Sequence, residues 1–384
     1  MNLLQATLRV VSSATLALHA ALAQTFVVDV ANGPGTNFTD LGTATAAVPS
    51  GAVLVVRPGV YGGQILIHGK SLTVLGEPAA KLGGSTLVSI QGIAATQSVF
   101  VRGLQMQAPT QTFGGIGISC QSSAGPICLE NLTVGPVSIG PVSFEAVGCS
   151  SLWLRGCSFS AWARFTNCDA VLRGSFIQAY GQTTSLEAVV QTGGSVQLVD
   201  CTVTGRAGFV GNPGVQINGG SLRLLGGTTI TGGTSAFGPS GLAITGTGTV
   251  RREPGVTLSG GGTVVAPTIT VVRVEMPRLT VDEVLPAGTV EAKLHGPIGH
   301  AGFVLVSLTG PSFPLPFLAD SVWLDPLSML VVVSGIPGPG APVAASISMP
   351  AVSTTLGFQI VWQGLTLEAT AGFQISNAEY NVVH

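Results

Sequence analysis

Eight segments of this chain align on one another, and that internal repeat limits the fold more than any other feature. They are Ser71-Leu-Thr-Val-Leu-Gly76, Ser98-Val-Phe-Val-Arg-Gly103, Pro126-Ile-Cys-Leu-Glu-Asn131, Ser151-Leu-Trp-Leu-Arg-Gly156, Asp169-Ala-Val-Leu-Arg-Gly174, Ser195-Val-Gln-Leu-Val-Asp200, Ser221-Leu-Arg-Leu-Leu-Gly226 and Thr249-Val-Arg-Arg-Glu-Pro254. With the second residue of each as an anchor, successive anchors are 27, 28, 25, 18, 26, 26 and 28 residues apart, as one coil per copy requires. In seven of the eight copies the anchor and the residue two later are apolar, the period of a strand with one face buried. Four residues after the anchor stands Gly, Asn or Asp in seven copies. These residue types tolerate a left-handed backbone, so the chain is expected to turn a corner there.

A second short strand follows each corner, with inward pairs such as Leu104 and Met106, Leu132 and Val134, Cys157 and Phe159, and Cys201 and Val203. A third precedes the next anchor, as in Leu87-Val-Ser-Ile-Gln91, Gly115-Ile-Gly-Ile-Ser119, Gly214-Val-Gln-Ile-Asn218 and Gly241-Leu-Ala-Ile-Thr245. Equivalent segments recur in one chain direction, so each must pair with its copy in the next coil, about 4.8 Å away, and the sheets are parallel. The crossover preference makes the winding right-handed. Strand edges at the ends of such a stack need covers. A short helix capped by Thr39 or Asp40 and running to Ala47, with Leu41, Ala44 and Val48 on one face, can plug the first coil. The 54 glycines, with 46% hydrophobic and 8% charged residues, suit strands and turns better than helices or disorder.

The opening of the repeat resembles a known group. Val27-Val-Asp-Val, Gly33-Pro-Gly-Thr-Asn-Phe-Thr-Asp-Leu41, Gly51-Ala-Val-Leu-Val-Val-Arg-Pro-Gly-Val-Tyr61, Ile65-Leu-Ile and Ser71-Leu-Thr-Val-Leu-Gly76 look like the start of pectin-lyase-like parallel β-helix proteins, pectin methylesterases included. The resemblance covers about residues 26 to 266 as a pattern and implies the fold rather than an activity.

Four regions are expected. Residues 1–23 read as a signal peptide: Arg9, an apolar stretch from Val10 to Leu22, and Ala21-Leu22-Ala23 as a cleavage site. Residues 24–50 hold the N-terminal strand and capping helix, and 51–266 the right-handed parallel β-helix with three strands per coil. In 267–384 apolar runs split by Pro and Gly, such as Gly302-Phe-Val-Leu-Val-Ser-Leu308, Met329-Leu-Val-Val-Val333 and Gly357-Phe-Gln-Ile-Val-Trp-Gln363, suggest a small antiparallel β-sandwich-like domain. Its ending resembles a tail domain of secreted bacterial proteins. The chain is thus expected to be all-β, secreted or held at the cell surface, and soluble once the signal is removed.

The residue three after each anchor reads Arg102, Glu130, Arg155, Arg173 in four successive coils, an expected outward ladder. Its bland reading is a solvated charge row relieved by Glu130. Its sharper reading is that Arg155 and Arg173, with Arg102, bind anionic polysaccharide, while outward Phe100 and Trp153 either stack on sugar rings or, more commonly for such aromatics, lie under a long loop. Charge divides unevenly: residues 50–266 hold eleven Lys or Arg against seven Asp or Glu, and 267–384 three against eight. Surface composition alone explains so modest an imbalance, although it would favour a contact between the two regions.

Export permits disulfides. Cys149 and Cys168 fall before their anchors in adjacent coils and are the first candidate pair, and Cys120 with Cys128 could close a local loop. Cys157 and Cys201 share an inward register but are two coils apart, with Ser175 between, so buried free thiols are expected there. The cysteines lack zinc spacing, and neither metal, cofactor nor nucleic acid is expected.

Enzymes of this fold that cleave acidic polysaccharides need clustered carboxylates and cations. The coil carboxylates Glu77, Glu130, Glu145, Asp169, Glu187, Asp200 and Glu253 are scattered, and the esterase and polygalacturonase signatures are missing. The residues therefore favour a secreted, non-catalytic β-helix protein with a structural or surface- and glycan-binding role, its partner extracellular polysaccharide or cell-surface material. The alternative is a carbohydrate-active enzyme (polysaccharide lyase, esterase or hydrolase) acting on an acidic polysaccharide.

Overall fold

The computed structural model describes residues 24–383 apart from 84–87, 107–115, 136–141, 180–186, 283–287, 314, 316, 317, 319, 320, 339, 350–358 and 369–371. The segment read as a signal peptide lies outside the described residues.

Residues 25–273 wind into a parallel β-solenoid with three walls. In the first wall the eight anchors form one row: Leu72, Val99, Ile127, Leu152, Ala170, Val196, Leu222 and Val250 are each the direct strand partner of the next. The corner four residues on is left-handed in six copies, with φ of 73° at Gly103, 51° at Asn131, 60° at Gly156, 56° at Gly174, 53° at Asp200 and 63° at Gly226. A Cβ at Gly156 would also run into the Asn131 Oδ1 of the coil below, so at that corner both the dihedral and the stacking demand glycine.

The second wall is a 9-stranded parallel sheet. It buries Val134, Phe159, Ile177, Val203 and Ile230. In the third wall Ile65, Val88, Ile118, Phe144, Ala163, Val189, Val215 and Ile244 line up in register. A second left-handed corner ends this wall, at Gly69, Gly92, Ser122, Gly148, Asn167 and Gly193. In the last coils the strands Val215–Leu225 and Ile244–Arg252 pass through that corner without a break, which fuses the first and third walls.

The solenoid outlasts the expected boundary. Ile269–Arg273 still pairs in parallel with the preceding coil, Val271 lying against Val250. The two ends differ. At the start, the helix Leu41–Ala47 is capped by the Asp40 carboxylate, which accepts from Thr43 N at 2.6 Å, and it buries Leu41 and Ala44 on the first coil. The outer edge of the strand Thr25–Val28 is occupied too, since Phe38 N donates to Val27 O and Asp29 N to Phe38 O. At the far end, Ile269–Arg273 pairs on one edge only among the described residues, and Thr270 to Arg273 are exposed.

The remaining chain forms two antiparallel sheets packed face to face. The three-stranded sheet holds Arg278–Val281, Thr289–His295 and Val343–Ser348. The five-stranded sheet has Ala301–Phe313 at its centre, with Val322–Leu324, Leu330–Gly335, Gln359–Glu368 and Gly372–Val382. Leu279, Val290 and Leu294 meet Val304, Val306 and Trp362 between the sheets. The other face of the five-stranded sheet does not meet water. Its Leu305, Val361, Ile375 and Tyr380, with Trp323, pack on Phe100, Trp153, Val171, Val199 and Leu225 of the first wall. Strands buried on both faces lose the apolar–polar alternation, which is why Gly302–Leu308 reads as a continuous apolar run.

All six cysteines are buried free thiols, which corrects both expected disulfides. Cys120 lies in the solenoid core and Cys128 on the outer side of the first wall, so the sheet itself separates them. Cys149 and Cys168 are neighbours, and the Cys149 N–H donates to Cys168 Sγ at 3.4 Å, but each remains a thiol hydrogen-bonded to the carbonyl two residues back. Cys157 and Cys201 are buried and unpaired, as expected, with Ser175 between them. Their thiols and the Ser175 hydroxyl each donate to a carbonyl of the preceding coil. Burial pushes Cys157 and Cys201 up to about 12, which leaves them protonated and unreactive at neutral pH.

Candidate functional site

The structure places the expected ligand ladder inside the protein. Arg102, Glu130, Arg155 and Arg173 do form one row across successive strands. They point away from the coil core, but the sandwich lies over them. Arg102 pairs with Glu130 at 3.7 Å, so Glu130 does relieve an Arg neighbour, but it does so buried rather than in the solvated row expected. Arg173 Nη1 reaches the buried Glu379 carboxylate at 2.7 Å and Val281 O at 3.1 Å, while Arg155 donates to Val281 O at 3.4 Å. Phe100 and Trp153 are likewise buried, with Trp153 edge-on to Trp323 and its Nε1 donating to Ala378 O. Arg155, Arg173, Phe100 and Trp153 hold the two modules together and are closed to a polymeric ligand in this arrangement. Among the described residues the charge imbalance contributes one contact in the expected sense, Arg173 with Glu379, and one in the reverse sense, Arg278 with Asp200 at 3.1 Å.

Beside this interface lies an open cleft of about 560 Å³ between the last solenoid corners and the sandwich. The solenoid contributes Gly226, Glu253 and Pro254, the connecting segment Glu275 and Met276, and the sandwich Arg278, His295 and Pro297. Clefts between modules are the usual places for small ligands. Glu253 is held by the Gly226 N–H, which donates to Oε2 at 2.6 Å. Burial raises the Glu253 carboxyl above its ordinary value, against the pull of that N–H and of Arg278 and Arg223. His295 is lowered, first by burial and then by Arg278 and Lys293, and so stays uncharged at neutral pH. Among the described residues no group of three His, Cys, Asp or Glu could hold a metal ion.

The raised Glu253 gives a signed test. The folded chain holds this proton more tightly than the unfolded chain does. Stability is therefore full below the ordinary value of 4.5 and declines as pH rises through the higher folded value. Gln keeps an acceptor for Gly226 N and does not titrate. Glu253→Gln is expected to match the parent near pH 4 and to exceed it at pH 7 in urea melts; a stability difference independent of pH would contradict this account.

A second exposed feature, absent from the sequence reading, sits on the loops that leave the second wall in two consecutive coils. Phe209 and Phe237 are 80% and 83% exposed, and their rings stack at 5.8 Å between centroids with an interplanar angle of 18°. A bridge between Gly208 and Ser235, and a 2.8 Å hydrogen bond from Ser235 Oγ to Phe209 O, carry the coil register out into these loops. Val210 is exposed beside them. No protein-family model matches the chain, and no curated protein matches it either.

Proposed function

We propose that this is an exported, non-catalytic β-helix protein of the pectin-lyase-like kind that binds glycan or other surface material through its solenoid. The observation that carries the reading is the Phe209–Phe237 stack. Two large aromatic rings left in water in a fixed mutual geometry are costly unless something covers them. The C–H-lined face of a pyranose ring is a suitable cover, because the aromatic face attracts its polarised hydrogens while the sugar hydroxyls stay hydrated. The rigid coil spacing beneath the loops supports a preformed platform, which lowers the ordering cost of binding.

Phe209→Ala with Phe237→Ala is expected to weaken retention on insoluble polysaccharides at least about tenfold, the equivalent of about 1.4 kcal/mol. Both side chains are exposed, so the melting curve should stay within about 0.5 kcal/mol of the parent. Unchanged retention in the double variant would remove the basis for this reading. Release of unsaturated or hydrolysed products from any acidic glycan would replace it with an enzymatic one.

A further inference from the structure

We propose that the cleft between solenoid and sandwich is a binding site for a saccharide that carries amino groups. The inference rests on the glycan-binding reading but not on the phenylalanine platform.

Charge is the first argument. Glu253 and Glu275 line the cleft, and among the described residues neither forms an ion pair. The cation of the lining, Arg278, is already engaged by Asp200 at 3.1 Å. Asp200 itself is held in place by the Gly227 N–H, which donates to it at 2.7 Å. His295 is uncharged at neutral pH and offers a hydrogen bond without offsetting either carboxylate. Glu275 thus remains for a ligand, and Glu253, drawn on by Arg278 and Arg223 and holding the Gly226 N–H with one oxygen, keeps its second oxygen for it. They repel a uronate polymer and attract an ammonium group.

Surface chemistry is the second argument. Around the carboxylates lie the exposed Pro254 and the half-buried Pro342, while Pro297, Pro337 and Met276 are buried in the wall behind them. The two open proline rings are stiff apolar plates that lose little entropy when covered. They suit the C–H face of a sugar ring, whereas a linear polyamine would leave them bare. The volume lies within the range of small-ligand sites. A metal ion is a poorer occupant, because one Glu253 oxygen is committed to Gly226 N and no cluster of three ligating side chains is present among the described residues.

Glu253 comes from the last solenoid corner, Glu275 from the segment that connects the modules, and the neutral imidazole from the sandwich. The site therefore exists only while the two modules are docked.

Calorimetry on the full chain tests this with four probes: a glucosamine oligomer, its N-acetylated neutral counterpart, a galacturonate oligomer and spermidine. The glucosamine oligomer is expected to bind, the N-acetylated oligomer at least about tenfold more weakly, and the galacturonate oligomer not at all. Added salt should weaken the glucosamine complex. Glu253→Gln with Glu275→Gln should lower glucosamine affinity at least about tenfold while the variant still melts cooperatively. Phe209→Ala with Phe237→Ala should remove only binding that the N-acetylated oligomer shares and keep the excess affinity shown by the glucosamine oligomer. Absence of glucosamine binding, equal binding of the N-acetylated oligomer, or full affinity in the double glutamine variant would each overturn the proposal. Spermidine binding as tightly as the saccharide would overturn its sugar component. Glucosamine binding that depends on the glutamates but not on the phenylalanines upholds this site even if the platform reading fails, and the reverse pattern rejects this site alone.

Discussion

Glu379→Ala is expected to cost about 3 kcal/mol, because it strips the half-buried Arg173 guanidinium of its buried counter-charge. Glu379 is almost wholly buried, gives one oxygen to Arg173 at 2.7 Å and accepts from Asn377 Nδ2 at 2.7 Å with the other. Without it, the Arg173 and Arg155 guanidinium groups share, among the described residues, the Val281 carbonyl as their acceptor at the interface. Both charges have lost water on docking, so their attraction mainly offsets desolvation. Losing one partner exposes that cost in full. The pairwise replacement Arg173→Met with Glu379→Leu removes both charges and should cost much less than either single change, since an apolar pair of similar volume needs no counter-ion. Urea unfolding followed by circular dichroism separates the cases. A single Glu379→Ala cost below about 1 kcal/mol, or a double variant as unstable as the single one, would show that the pair is effectively solvated.

The coil was legible because stacking constrains each copy twice. An inward residue must be apolar at Leu72, Val99 and Ile127, and a left-handed corner must follow at Gly103, Asn131 and Gly156, so two signals repeat at one offset. The second corner was harder to see. It uses Ser122 as well as Gly and Asn, and the stretches before the third wall differ in length from coil to coil, so the anchors do not fix its position. The far boundary was set too early because Ala266-Pro267 reads as a break. The strand Ile269–Arg273 follows it with no Gly, Asn or Asp at the corner offset.

That misplaced boundary also hid the cleft. In the sequence Glu253 stands as an isolated carboxylate, and Glu275 lies outside the expected coil region. The register of the last strands instead sets Arg252 beside Arg273, which brings the two glutamates to one cleft. Arg278 and His295 come from the sandwich, whose docking no periodicity in the solenoid encodes. The Arg ladder failed as a ligand site for the same reason. Its direction followed from strand alternation, but alternation gives only the side of the sheet, and a second module can occupy that side.

Trp153→Ala states this distinction as a measurement. In the sequence Trp153 is an outward aromatic on the anchor strand, indistinguishable by pattern from a sugar platform. In the fold its ring lies 4.3 Å from Trp323 and 5.0 Å from Tyr380, with its N–H on Ala378 O at 3.3 Å. Truncation leaves a cavity at the centre of the intermodule packing and is expected to cost about 3–5 kcal/mol. The solenoid core, which lies on the other side of the wall, keeps its own contacts, so the loss should fall mainly on docking. The expected result is a chain with most of its strand signal, a larger hydrodynamic radius and new binding of a hydrophobic dye. Those changes report the first wall uncovered at Phe100, Val171 and Val199. A variant that stays as compact as the parent, or one that unfolds in a single step with the whole solenoid, would mean that wall and sandwich form one cooperative unit. By contrast, truncating the exposed Phe209 and Phe237 is expected to change stability by no more than about 0.5 kcal/mol, so the two measurements tell an aromatic that holds the protein together from one left in solvent.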